Sequence, residues 1–151
     1  MKNKSVTTIF LTFGLLLSPL AIVLADEKPP RGSKPLSVII KSVEEQELGS
    51  ISECEFDDGR WEVKVCAIDG CKKLYINPKS GKEMRRKSTH ADEMPPENAL
   101  VLSTIIESVE ARKLGTITEV EYDDGFWDFE LLKRGQDVEL IIDPMTGEER
   151  S

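Results

Sequence analysis

The chain has 151 residues, 39% of them apolar and 32% charged, with 20 basic against 28 acidic side chains, a formal charge of −8 and a pI near 4.8. That is room for one or two small domains, and the negative balance excludes phosphate-backbone binding, which depends on counterion release by a cationic surface. One histidine, and no G-x-x-x-x-G-K or G-x-S-x-G run, leave little material for nucleotide, metal or hydrolytic chemistry.

Residues 1–25 read as an export signal: Lys2 and Lys4 at the start, an apolar run over 9–17, and Val23-Leu24-Ala25 as a small-residue cleavage pattern before Asp26. The alternative is an uncleaved anchor, because residues 6–25 approach the length of a bilayer core. Gly14, Ser18 and Pro19 interrupt that run and favour cleavage. The expected location is therefore periplasmic or secreted, with no membrane association after processing. Residues 26–34, with Pro29 and Pro30, read as a flexible leader.

Next comes a duplication. Residues 36–85 align with residues 102–151 at a constant offset of 66, without a gap, and 21 of the 50 positions are identical. LSVIIKSVEEQELGSISECEFDDGRW in the first stretch answers LSTIIESVEARKLGTITEVEYDDGFW in the second. The expected units are residues 35–85 and 99–151, joined by a polar linker over 86–98 that contains Pro95 and Pro96.

Each unit opens with a helix. Leu36, Ile39, Ile40, Val43 and Leu48, and at the offset Leu102, Ile105, Ile106, Val109 and Leu114, fall near one face at a period of 3.6. Gly49 and Gly115 are placed to end these helices as left-handed caps. The period then drops to two, with Cys54 and Phe56, then Trp61, Val63 and Val65, between charged neighbours. Asp58-Gly59 and Asp124-Gly125 supply the positive φ of a tight hairpin turn. A third strand, over residues 74–76 or 138–142, ends at Asn77-Pro78 or Asp143-Pro144, where proline cannot donate to a ladder. The expected fold class is α+β: two tandem helix-strand-strand-strand repeats, with helices on one face of antiparallel sheet.

A unit of about 50 residues is marginal alone, so the two should pack through the outer faces or the edges of their sheets. Phe126, Leu132 and Ile141 should point away from the helix. Arg60, Cys66 and Tyr75 hold the matching places in the first unit. These positions, Phe126 above all, are the candidate interface.

Export puts three cysteines where disulfides persist. Cys66 and Cys71 flank a four-residue hairpin loop, so antiparallel pairing would set them opposite each other as a short staple worth the low end of ~2–4 kcal/mol. Cys54 alternates with Phe56 on the apolar side and reads as a small buried hydrophobe. Asp57, Asp58, Asp123 and Asp124 are weak calcium-ligand candidates, though aspartate in a tight turn has a purely structural role as well. His90, Asp92 and Glu93 make a still weaker metal set, with a single imidazole in a proline-rich linker. Trp61 and Trp127 read as core. No nucleophile has a base beside it, so no catalytic residue, enzyme activity or cofactor is expected.

The L-x-x-I-I-x-S-V-E helix, the E-V-E-Y-D-D-G strand before Trp127 and the closing I-D-P-x-T-G resemble the PepSY domain, here in tandem. The resemblance implies a small extracytoplasmic module, similar in fold to β-lactamase-inhibitor-like proteins, whose usual proposed role is inhibition or regulation of a peptidase. The family offers no catalytic residues to carry over. No peptidase domain follows in this chain, so self-inhibition within one chain is not expected. The expectation is a binding module that modulates an envelope peptidase or sensor protein. The alternative is a small-ligand or divalent-cation binding protein of the envelope.

Overall fold

The computed structural model describes residues 27–90 and 93–150; the segment read as an export signal lies outside them. The elements are α1 (Leu36–Glu44), β1 (Ser50–Asp57), β2 (Arg60–Ala67), β3 (Gly70–Ile76), β4 (Glu83–Thr89), α2 (Leu102–Ala111), β5 (Thr116–Asp123), β6 (Phe126–Lys133) and β7 (Gln136–Ile142). The strands form one antiparallel sheet in the order β4-β3-β2-β1-β5-β6-β7. Together with two helices this is an α+β fold. No helix among the described residues is long and apolar enough to cross a membrane.

The helical period places Leu36, Ile39, Ile40 and Val43 of α1, and Leu102, Ile105, Ile106 and Val109 of α2, in the core. They share one cluster with Cys54, Trp61, Val63 and Leu74 from one half of the sheet and Val120, Trp127, Phe129 and Leu140 from the other half, all on the helix-facing side. Alternation along the strands puts the charged neighbours on the opposite face. Both Asp-Gly turns take the expected left-handed pair, with φ of 49° and 75° at Asp58-Gly59 and 48° and 86° at Asp124-Gly125. Cys66 pairs with Cys71 across the β2–β3 hairpin and the two are disulfide-bonded, while Cys54 is buried and free.

The two stretches meet at an edge rather than through their outer faces. β1 pairs with β5 through Glu53↔Glu121, Cys54↔Val120 and Glu55↔Glu119, centred on two residues that are themselves 66 apart. Above this seam the helices run antiparallel, and each completes the other's first turn. Neither Pro35 nor Val101 caps its helix with a side chain. Instead Glu110, near the end of α2, accepts from Leu36 N–H at 2.7 Å and from the Ser37 hydroxyl, and Glu44, the last residue of α1, accepts from Ser103 N–H at 3.0 Å. A carboxylate at the positive end of a helix dipole is favourable, whereas at the end of its own helix it is not.

Four local expectations differ from what is found. Gly49 and Gly115 are not the helix caps: the left-handed residues after the helices are Glu47 and Lys113, each with φ 53°. The glycines are needed where the backbone passes close to the next strand, since a Cβ on Gly49 would stand 2.3 Å from the Cys66 carbonyl oxygen and one on Gly115 3.0 Å from that of Leu132. The third strands begin earlier, at Gly70 and Gln136. The stretch read as linker contributes its first residues to β4, an edge strand almost without apolar side chains and so without a periodic signal. Finally, residues 27–34 are docked rather than loose: Lys34 N–H donates to the Pro78 carbonyl at 2.9 Å, as Leu100 N–H donates to that of Pro144 at 2.8 Å.

Candidate interaction surface

The face of the sheet opposite the helices is covered by no element among the described residues. Paired residues in an antiparallel ladder share a face, so the register lays out its side chains in rows. One row reads Lys87, Lys73, Lys64, Glu53, Glu121, Asp128, Ile141 from β4 to β7, and the next reads Arg85, Tyr75, Glu62, Glu55, Glu119, Glu130, Glu139. The cations lie on β4, β3 and β2, and beyond β2 every charged member of both rows is acidic.

On the basic side, the candidate residue Tyr75 is buried beneath three cations: the Arg85, Arg60 and Lys87 charges stand 4.3, 5.0 and 5.8 Å from its ring centroid. Arg60 reaches Glu62 at 3.1 Å and Asp58 at 3.3 Å, Lys73 reaches Glu62 at 3.0 Å, and Lys64 pairs with Glu53. On the acidic side, Glu55, Glu119, Glu130 and Glu139 follow one another across four strands, and none has an ion-pair partner within 4 Å among the described residues. Glu55, Glu119 and Glu130, with Glu27 and Asp137, line a cleft of about 230 Å³ at the β1–β5 seam. Like charges opposed across a ladder are destabilising. Burial, followed by the neighbouring Glu130 and Glu55 carboxylates, pushes Glu119 up to about 7. Burial and then Glu53 raise Glu55, and burial and then Asp123 raise Asp128.

Those shifts set a pH dependence. Glu119 binds its proton more tightly folded, near 7, than unfolded, near 4.5, so the folded state is penalised once both states are ionised. Its contribution to stability is lost as pH rises from about 4.5 through 7. Glu119→Gln is expected to leave stability at pH 5 nearly unchanged and to raise it at pH 8 by roughly 1–2 kcal/mol, after discounting for solvent screening. Urea unfolding at the two pH values reads this out, and equal curves at pH 8 would remove the repulsion from the account.

The other candidates are dispersed. Phe126, Leu132 and Ile141 do lie on the outer face, but Phe126 sits beneath Arg150 at 4.6 Å, Ile141 is opposite Asp128 and Leu132 is opposite Asp137, so they form no continuous apolar patch. Trp61 and Trp127 are core residues with buried indole N–H groups that have no protein partner. They line clefts of about 400 and 240 Å³, closed by Pro29-Pro30 and Pro95-Pro96, two proline pairs that are also 66 apart. Asp123 and Asp124 come together with Glu93, all three exposed. Asp58 is instead paired with Arg60. Three monodentate carboxylates fall short of the six to eight oxygens that calcium takes. Burial, then Glu53 and Glu44, push the Cys54 thiol well above its ordinary range, which makes it a poor nucleophile. The glutamate row went unseen in the sequence although its members alternate along β1, β5, β6 and β7, because only the strand order lines them up.

One sheet with paired helices on one face and a charged, open face on the other defines a small α+β module. A family model described as peptidase propeptide and YPEB domain, the PepSY family, matches residues 7–87, and the chain belongs to that family. No curated protein sequence matches the chain. Among solved structures, a Clostridium difficile 630 protein provisionally described as a lipoprotein is similar, with 13% identity, a TM-score of 0.48, and coverage of 81% of this chain and 93% of that one.

Proposed function

We propose that the chain is an exported, non-catalytic binding module built from two PepSY units, residues 35–85 and 99–151, that docks on an extracytoplasmic peptidase or sensor protein and modulates it. The observation that carries this reading is the uncovered sheet face with its open β4 edge, in a member of a family described by its peptidase propeptides. Pairing along an edge or packing over a face are both recurrent ways to hold a polypeptide. The two-unit reading is supported by features that recur at the offset of 66: the glutamate caps, the Asp-Gly turns, the proline pairs, and the strand irregularities at Ile51/Glu53 and Ile117/Glu119. Divalent-cation binding is the weaker reading, with three exposed carboxylates in its favour.

The test is titration of purified protein, beginning at Asp26, against peptidases secreted by the same cell, alongside crosslinking in the native envelope. Slowed cleavage by at least one peptidase, with that enzyme captured in the crosslink, is the expected result. Unaffected peptidases together with no captured peptidase or sensor would reject the reading.

A further inference from the structure

We propose that the open sheet face is self-complementary and takes a second copy of this chain, related by a two-fold axis running along the strands above the boundary between β2 and β1. The dimer does not depend on the binding-module reading; it occupies the sheet face and leaves the open β4 edge to the peptidase or sensor of that reading.

The argument begins with the sign change between the two stretches. Positions 66 apart keep their core apolar, as with Ile39 and Ile105 or Trp61 and Trp127, and on the outer face Glu53, Glu55 and Glu62 keep their sign in Glu119, Glu121 and Asp128, whereas Lys64 answers Glu130 and Lys73 answers Glu139. One face thereby holds a cationic block on β4, β3 and β2 beside an anionic block on β1, β5, β6 and β7. A foreign peptide of one sign would satisfy only half of it. A second copy satisfies both halves at once, because a closed two-fold interface uses the same surface twice.

Symmetry then fixes the orientation. An axis across the strands would stack cations on cations. An axis along the strands at the β2/β1 boundary reverses the strand order while keeping each row in place. β4 then lies over β6 of the second copy, β3 over β5 and β2 over β1. In the first row Lys87 meets Asp128 and Lys73 meets Glu121, while Lys64 and Glu53, buried and already paired within each copy, flank the axis. In the second, Arg85 meets Glu130, and Glu119 meets the cations that cover Tyr75. Only Glu62 faces a like charge, Glu55, and Glu62 is already bonded to Arg60 and Lys73. Sheets packed face to face keep their strands within about 30° at a spacing near 10 Å, a gap that lysine and arginine side chains bridge.

The area is sufficient. Six strands about 4.8 Å apart and seven residues long cover roughly 650 Å² per copy, or about 1,300 Å² in all, within the range of specific interfaces. An interface this polar is wet and strongly dependent on salt.

Sedimentation equilibrium of the protein beginning at Asp26 tests the proposal. A dimer is expected at low ionic strength, with Kd rising about tenfold or more as sodium chloride goes from about 50 to 500 mM. Two double variants at exposed positions, Arg85→Glu with Lys87→Glu and Asp128→Lys with Glu130→Lys, should each be monomeric, with folding checked by circular dichroism. Mixing them should restore a one-to-one heterodimer, because each reversed block then meets its complement. A wild-type monomer at high protein concentration and low salt would overturn the proposal. So would folded variants that stay apart when mixed, or a dimer indifferent to both pairs of substitutions.

Discussion

Gly49→Ala is expected to destabilise the protein by about 3–5 kcal/mol, and Gly115→Ala by only about 1 kcal/mol. Both glycines lie between a helix and the first strand of its stretch, yet they meet different obstacles. Gly49 has φ 133°, which an L side chain rarely adopts, and its added Cβ would stand 2.3 Å from the Cys66 carbonyl oxygen and 2.6 Å from the carbonyl carbon. That backbone cannot retreat easily, because Cys66 is paired with Ser50 in the ladder and tied through its disulfide to β3. Gly115 carries no positive φ, its added Cβ would meet the Leu132 oxygen at 3.0 Å, and no disulfide holds β6 there. Urea unfolding of both variants separates the cases. Equal losses would mean that close approach of the backbone is not what selects glycine at position 49.

Glu110→Ala should cost about 2–3 kcal/mol and Glu44→Ala about 1 kcal/mol, with the double variant near their sum. Glu110 holds the Leu36 N–H and the Ser37 hydroxyl, and its removal leaves the backbone donor of a buried residue without a partner. Glu44 holds one donor, Ser103 N–H. The two caps are at opposite ends of the helix pair, and independent sites add. Chemical denaturation of the two single variants and the double variant checks this. A negligible loss in Glu110→Ala would show that solvent replaces the cap and that the reciprocal contact does not hold the helices in register.

Much of the architecture was legible because one physical signal was written twice. The 3.6 period of Leu36, Ile39, Ile40 and Val43, the alternation after it and the Asp-Gly turns each recur at the same spacing, so both helices, the first hairpin of each stretch and the buried side of its strands could be read directly. β4 could not be, since Glu83–Thr89 is a polar edge strand whose pairing is decided by β3 rather than by its own pattern. Pro29-Pro30 and Pro95-Pro96 were read as punctuation, although their shared offset was a sign that both segments pack in the same way. The acidic row is a property of strand order. Glu130 joins Glu119 across the β5–β6 hairpin, but Glu55 is 64 residues from Glu119 in sequence and becomes its neighbour only once β1 pairs with β5.

That late pairing bears on how the chain survives its own synthesis. β1 emerges and can pair with β2 while its other margin waits for a strand some 66 residues downstream, and an unpaired strand margin is a template for aggregation. Glu53 and Glu55 stand along that waiting margin. Two such margins brought together would oppose Glu55 to a carboxylate of the other chain, so the charge that burdens the finished sheet would also keep half-made chains apart until their own second halves arrive.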